Sequence, residues 1–137
     1  MIEHRDYHEE LLAWLSPDRV KRTMGVALLD GARDIAEDAA FSIRDGAISG
    51  AGHVPSLPGS PPNNDTGELA ASIHVGELIE VPGRLETAVI ADADHALYLE
   101  LGTMTIAERP FIRPATTRGR APLIRRLAAA FRRAIAP

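Results

Sequence analysis

Apolar residues recur at helical spacing in two blocks of this chain, and they alternate with polar ones in a stretch between the blocks. In the first block Val20, Met24, Ala27, Leu28, Gly31, Ile35 and Ala39 return every three or four residues, with Asp30, Asp34, Glu37 and Asp38 elsewhere on the surface. That period predicts an amphipathic helix. Ser16 offers a hydroxyl cap and Pro17 suits the first helical position, so the helix starts there and ends near Asp45-Gly46 as the longest element. Ahead of it, Tyr7, Leu11, Leu12 and Leu15 suggest a short amphipathic helix over His4 to Leu15. In the second block Leu123, Ile124, Leu127, Phe131 and Ile135 mark the buried face of a C-terminal helix that begins at Pro114 and is interrupted at Gly119-Arg-Ala-Pro122.

The alternating stretch lies around Leu85-Glu-Thr-Ala-Val-Ile-Ala. With Val81-Pro82-Gly83-Arg84 as its turn, it predicts a hairpin of strands over about Ala71 to Glu80 and Leu85 to Asp92, and a weaker strand falls within Thr105 to Ile112. Asp94 to Glu100 reads as a helical turn capped by Asp94, or as more extended chain. Between the long helix and the hairpin, residues 47–66 carry Pro55, Pro58, Pro61 and Pro62 among glycines, serines and asparagines. Such a stretch cannot fill a core; it reads as a long surface loop, mobile in an isolated subunit. The fold class expected is α+β: a long N-terminal helix and a C-terminal helix packed on a small, mainly antiparallel sheet, all in one domain over residues 1–137.

Composition changes this picture in two ways. Only 4% of residues are aromatic, so the core must be built from Ala, Leu, Ile and Val, and such a domain is suited to stabilisation by neighbours. Charge is divided along the chain. From Arg109 onward there are eight arginines and no acid, a charge of +8; the seven basic and nineteen acidic residues before it leave −12. A chain so divided can join its own copies, acidic surface to basic, although a solvated basic helix face would have the same composition. No cysteine is present, which removes disulfides and thiol chemistry, and no apolar run approaches a membrane span.

Candidate chemistry is sparse. His4 and His8 lie four apart with Glu9 nearby, yet no third ligand stands in a fixed relation to them. Asp92, Asp94, His95 and Glu100 form the densest polar cluster, and a small hydrolase would pair carboxylates there as acid and base. Neither the Ser49-Gly-Ala-Gly52 nor the Pro58-Gly-Ser-Pro-Pro62 run has the lysine of a phosphate-binding loop, and Ser72 lacks elbow glycines. No enzyme class has a complete set of parts, so no catalytic residue, cofactor or metal is expected. Trp14 and Phe111 read as core or interface anchors.

The most distinctive stretch runs from Tyr98 to Ala115. Glu100-Leu-Gly102-Thr103 places a carboxylate beside a flexible joint, and Arg109-Pro110-Phe111-Ile112-Arg113-Pro114 brackets two apolar residues with prolines. With Asp65-Thr-Gly-Glu-Leu-Ala-Ala-Ser-Ile73 upstream, this order of motifs over roughly residues 17 to 135 resembles the tail-completion, or head–tail joining, proteins of long-tailed bacteriophages and prophages. The resemblance implies a structural virion protein, made in the host cytoplasm and placed in the virion neck, forming a ring of about six copies between the head connector and the tail tube. It implies an interface in which Glu100, Gly102, Thr103, Arg109, Pro110, Phe111, Ile112 and Arg113 shape the contact. Arg125, Arg126, Arg132 and Arg133 would meet acid on a neighbour or DNA in the channel. A nucleic-acid-binding module that uses the same arginines is the alternative.

Overall fold

The computed structural model describes residues 16–45 and 50–136. The expected helix over residues 4–15, with Trp14 and the His4, His8 and Glu9 group, lies outside them. Helix α1 is Pro17–Arg44, with Pro17 in its first turn as the sequence predicts. Ser16 occupies the cap position but its hydroxyl makes no capping bond; its carbonyl accepts the N–H of Val20 at 3.1 Å. A short helix α2, Glu68–Ala71, follows the loop, where the sequence points to a strand from about Ala71. Then come β1 (Ile73–Val75), β2 (Ile79–Val81), β3 (Arg84–Glu86), β4 (Val89–Ala91), helix α3 (Ala96–Leu101) and helix α4 (Ile112–Ile135). The α+β class holds.

The hairpin forms about the expected turn, with Gly83 at a φ of 78° that favours a residue without a Cβ. It is split into two antiparallel ladders: β2 on β3, pairing Glu80 with Leu85, and β1 on β4, pairing His74 with Ile90. Three residues separate β1 from β2 and two separate β3 from β4, so one extra residue bulges out between the ladders. The Gly76 N–H to Ala88 carbonyl bond, at 2.8 Å, and the Thr87 hydroxyl to Gly76 carbonyl bond, at 3.0 Å, hold the chain at that break. Residues 105–111 form no strand; they belong to a loop described below.

The two long helices are antiparallel partners, and the contact between them overturns two expectations about α4. It runs unbroken through Gly119 and Pro122. Gly119 is a point of close approach: a Cβ there would lie 2.3 Å from Ile35 Cγ1, and one on Gly31 of α1 would lie 2.3 Å from Leu123 Cδ1. Each glycine receives the other helix's branched side chain. The buried face of α4 is therefore a small-residue seam, Ala115, Ala130 and Ala134, with Leu123 and Leu127 half-buried beside it, while Ile124 and Phe131 are 56% and 46% exposed. Alanine and glycine let the axes come close, which the larger residues would prevent. Below this seam Ile35, Ala39 and Ile43 of α1 meet Leu69, Ala70, Ala93, Ala96, Phe111 and Ala115 in one core.

Candidate functional site

Glu100, in the last turn of α3, organises the start of α4. Its side chain is only 13% exposed. One carboxylate oxygen accepts the N–H groups of Phe111 at 2.8 Å and Ile112 at 3.0 Å, and the other accepts the N–H of Arg113 at 2.9 Å and its Nε at 3.2 Å. Those backbone donors belong to the opening of α4, where no intrahelical partner exists and a negative charge is favoured. A glutamate distant in sequence thus does the work of an N-cap. This explains why α4 begins at Ile112, two residues before Pro114, although a residue preceding proline ordinarily avoids helical geometry. Pro114 itself sits in the first turn, where its missing N–H leaves nothing unpaired.

Burial pushes the Glu100 carboxyl upward, but the N–H groups of Phe111, Ile112 and Arg113, with the Arg113 side chain, outweigh it and hold the group below its ordinary value. A carboxyl depressed in the folded state stabilises fully above its unfolded value, and that contribution fades as pH falls through the folded one. Glu100→Ala is expected to cost about 1–2 kcal/mol at neutral pH, as loss of a cap does. Melting temperatures of wild type and Glu100→Gln measured against pH should differ most near neutrality and converge in acid; a constant difference would show that the charge is not what holds the helix start.

Between α3 and α4 the chain makes a closed excursion. The Arg109 N–H donates to the Leu99 carbonyl at 2.6 Å, closing its base. Gly102 turns it with a φ of 71°, and a Cβ there would meet Glu108 N and Ile106 O at 3.0 Å. At the tip, the Thr103 N–H donates to the Ile106 carbonyl at 2.8 Å, and the Thr103 hydroxyl accepts the N–H groups of Thr105 and Ile106 at 3.2 and 3.0 Å. Met104 projects fully into solvent. Arg113 Nη2 also holds Glu100's own carbonyl at 2.7 Å and Glu108 Oε2 at 2.9 Å.

Arg109 has a role that sequence spacing does not disclose. Its Nε donates to the Ser56 carbonyl at 3.0 Å and its Nη1 to Ala107 at 3.2 Å, while the Gly59 N–H donates to the Glu108 carbonyl at 2.9 Å. The described part of the 47–66 loop is thereby tied to the excursion. Phe111 is 1% exposed, so it lies in the core and has no surface for direct contact; Pro110 and Ile112 are half-buried. The apolar groups that do face solvent here are Leu97, Tyr98 and Leu101 on α3, then Met104 and Ile106, none of which the sequence reading placed at the interface. Only the helical spacing of 97, 98 and 101 could have signalled them.

The arginines of α4 divide into two sets. Arg118 pairs with Asp38 at 2.8 Å and Arg126 pairs with Asp34, with Asp30 4.0 Å away, so these charges are answered inside the chain. A stripe of acids four residues apart on α1 meets arginines eight apart on α4. Arg125, Arg132 and Arg133 are exposed and form no ion pair among the described residues. Nor does the Asp92 to Glu100 cluster converge: Asp92 lies 3.5 Å from His74, and Glu100 is taken up by α4. Among the described residues no three His, Asp or Glu side chains are placed to hold a metal ion, and no helix is long and apolar enough to cross a membrane.

Charged side chains in this region hold turns and helix ends in place, and several large apolar side chains are the ones offered outward. The match that identifies the chain is to the HK97-gp10-like family, described as "Bacteriophage HK97-gp10, putative tail-component", over residues 17–102. The chain belongs to that family and is a phage structural protein of the tail-component kind. No curated protein and no solved structure matches it.

Proposed function

We propose that the protein is a non-enzymatic neck component that completes the tail and joins it to the head, assembling as a ring of about six copies. One observation carries the reading: the Gly102–Pro110 excursion is pinned at both ends yet presents apolar side chains to solvent, beside the exposed Leu97, Tyr98 and Leu101. A rigid apolar projection loses little entropy when it docks, which suits a contact made once and kept. In this reading Gly102, Thr103, Arg109, Pro110 and the buried Phe111 and Ile112 shape the projection, with Glu100 and Arg113 bracing its base. Arg125, Arg132 and Arg133 meet acid on a neighbouring subunit, and the 47–66 loop, with Val54 and Leu57 exposed, reaches an adjacent ring. Head connector and tail tube proteins are the remaining partners.

Light scattering of the full chain at low and high salt tests self-association. Discrete oligomers of wild type, lost in Met104→Asp with the fold retained, are expected; a strict monomer at high concentration and low salt would count against the ring. Arg125, Arg132 and Arg133, exposed and without an ion pair among the described residues, also favour DNA contact, for which affinity should fall steeply with salt.

A further inference from the structure

Two outward faces of this chain are complementary in charge and both are apolar at their centre. On the outer side of α4, Ile124-Arg125 and Phe131-Arg132 repeat one apolar–basic pair seven residues apart, two helical turns or about 10.5 Å along the axis. All four side chains are exposed, and neither arginine forms an ion pair among the described residues. Ala128, small and exposed, leaves a shallow step between the pairs.

The other face is carried by α3. Leu97, Tyr98 and Leu101 project from it, and Asp94, in the turn before it, precedes them by three, four and seven residues, the spacing that puts all four on one side. Asp94 is exposed and has no ion pair among the described residues, and its neighbour Asp92 approaches only His74. Asp65 and Glu68, also exposed, stand across the hollow that Leu99 of α3 helps to line. The apolar stripe of α3 is thus edged by acids that no described arginine or lysine answers, and the stripe of α4 is edged by arginines that no described acid answers.

We propose that these faces are the two halves of one contact between copies, with the α3 face of each subunit seated on the outer face of α4 of the next. The inference rests on the ring reading above and names the surfaces that build it. The contact cannot close within one chain. Glu100 holds α3 at the first turn of α4, whereas Ile124 and Phe131 lie twelve and nineteen residues beyond Ile112, about 18 and 28 Å along the helix. Two different patches that fit each other make a heterologous contact, which repeats from copy to copy and gives a ring where the rotation closes. A symmetric pairing would set acid on acid at α3 or arginine on arginine at α4, which repulsion opposes. Exposed ion pairs contribute little singly, so burial of the apolar side chains supplies the attraction and the charges select which face meets which. Nucleic acid is a poorer occupant of the α4 face, because phosphates would use the arginines and leave Ile124 and Phe131 in water.

Charge reversal in the full chain tests the pairing. Arg125→Glu with Arg132→Glu, and separately Asp92→Lys with Asp94→Lys, should each reduce the oligomer seen by light scattering to single subunits, with the helical circular dichroism retained. Mixed in equal amounts, the two variants should assemble again, since the intact acid face of one meets the intact arginine face of the other and the two reversed faces also match. The chain has no cysteine, so Leu97→Cys with Ala128→Cys gives an independent measurement. Oxidation should link this variant into a ladder of copies, while neither single variant cross-links. Wild-type oligomers that persist through both reversals, or a disulfide dimer from Leu97→Cys alone, would overturn this contact and leave the ring reading in place. A strict monomer at high concentration and low salt, with no ladder, would overturn both. Loss of DNA retention by the arginine variant with its oligomers unchanged would assign the α4 face to nucleic acid instead.

Discussion

Phe111→Ala is expected to reduce stability by about 3–5 kcal/mol, the usual effect of truncating a buried aromatic ring. The ring is 1% exposed and, among the described residues, is one of two large side chains sealed completely in the core, the other being Ile43. Pro110 restrains the chain on one side and Glu100 holds the Phe111 N–H at 2.8 Å, so the backbone cannot settle into the space left by the ring. A domain of this size has a total stability of only about 5–15 kcal/mol. Loss at the upper end would leave much of the variant unfolded. Arg132→Ala, at an exposed position of α4, is the control and should change stability by about 0–1 kcal/mol. Thermal or urea unfolding of both variants distinguishes them, and equal, small effects would show that the core is not centred on this ring.

Alanine at Gly31 and Gly119 together is expected to destabilise the protein, against what helix propensity alone would predict. Each exchange inside a helix should gain about 1 kcal/mol. Yet each new methyl would stand 2.3 Å from the facing branched side chain, and overpacking of this kind costs about 1–3 kcal/mol per site. The double variant should therefore be less stable by up to roughly 4 kcal/mol, with α1 and α4 pushed apart and the Arg118–Asp38 and Arg126–Asp34 pairs lengthened. Ile35→Ala combined with Gly119→Ala should cost less than the sum of the two single changes, because trimming the facing side chain makes room for the new methyl. A more stable double variant would mean that the helices do not meet at this seam.

Much of the architecture could be read from the residues because its signals are local. Ser16-Pro17 marks the start of α1 and Asp45 its end, as backbone propensity and the first-turn preference for proline lead one to expect. Val81-Pro82-Gly83-Arg84 marks the hairpin turn, because a positive φ is needed there and glycine provides it. Periodicity also placed a C-terminal helix and an α+β layout.

The remaining features depended on groups far apart in sequence. Gly119 and Pro122 read locally as a break in α4, but the first is a contact point for Ile35, and the helix passes through both because its packing on α1 outweighs their poor propensity. Ile124 and Phe131 had the larger apolar side chains, yet the alanine seam was buried, since close approach of two helix axes favours small residues over large ones. Glu100 stood out as an acid beside a turn, but its carboxylate on three backbone donors eleven to thirteen residues ahead could not be inferred from spacing. Arg109 likewise grips Ser56 across fifty-three residues of chain. Local conformational preference is written residue by residue, so the sequence alone determined where α1 and the hairpin turn begin. Which face is buried, and which charges hold which turns, depends on distances between elements that exist only after they have packed; the tertiary structure alone decided those.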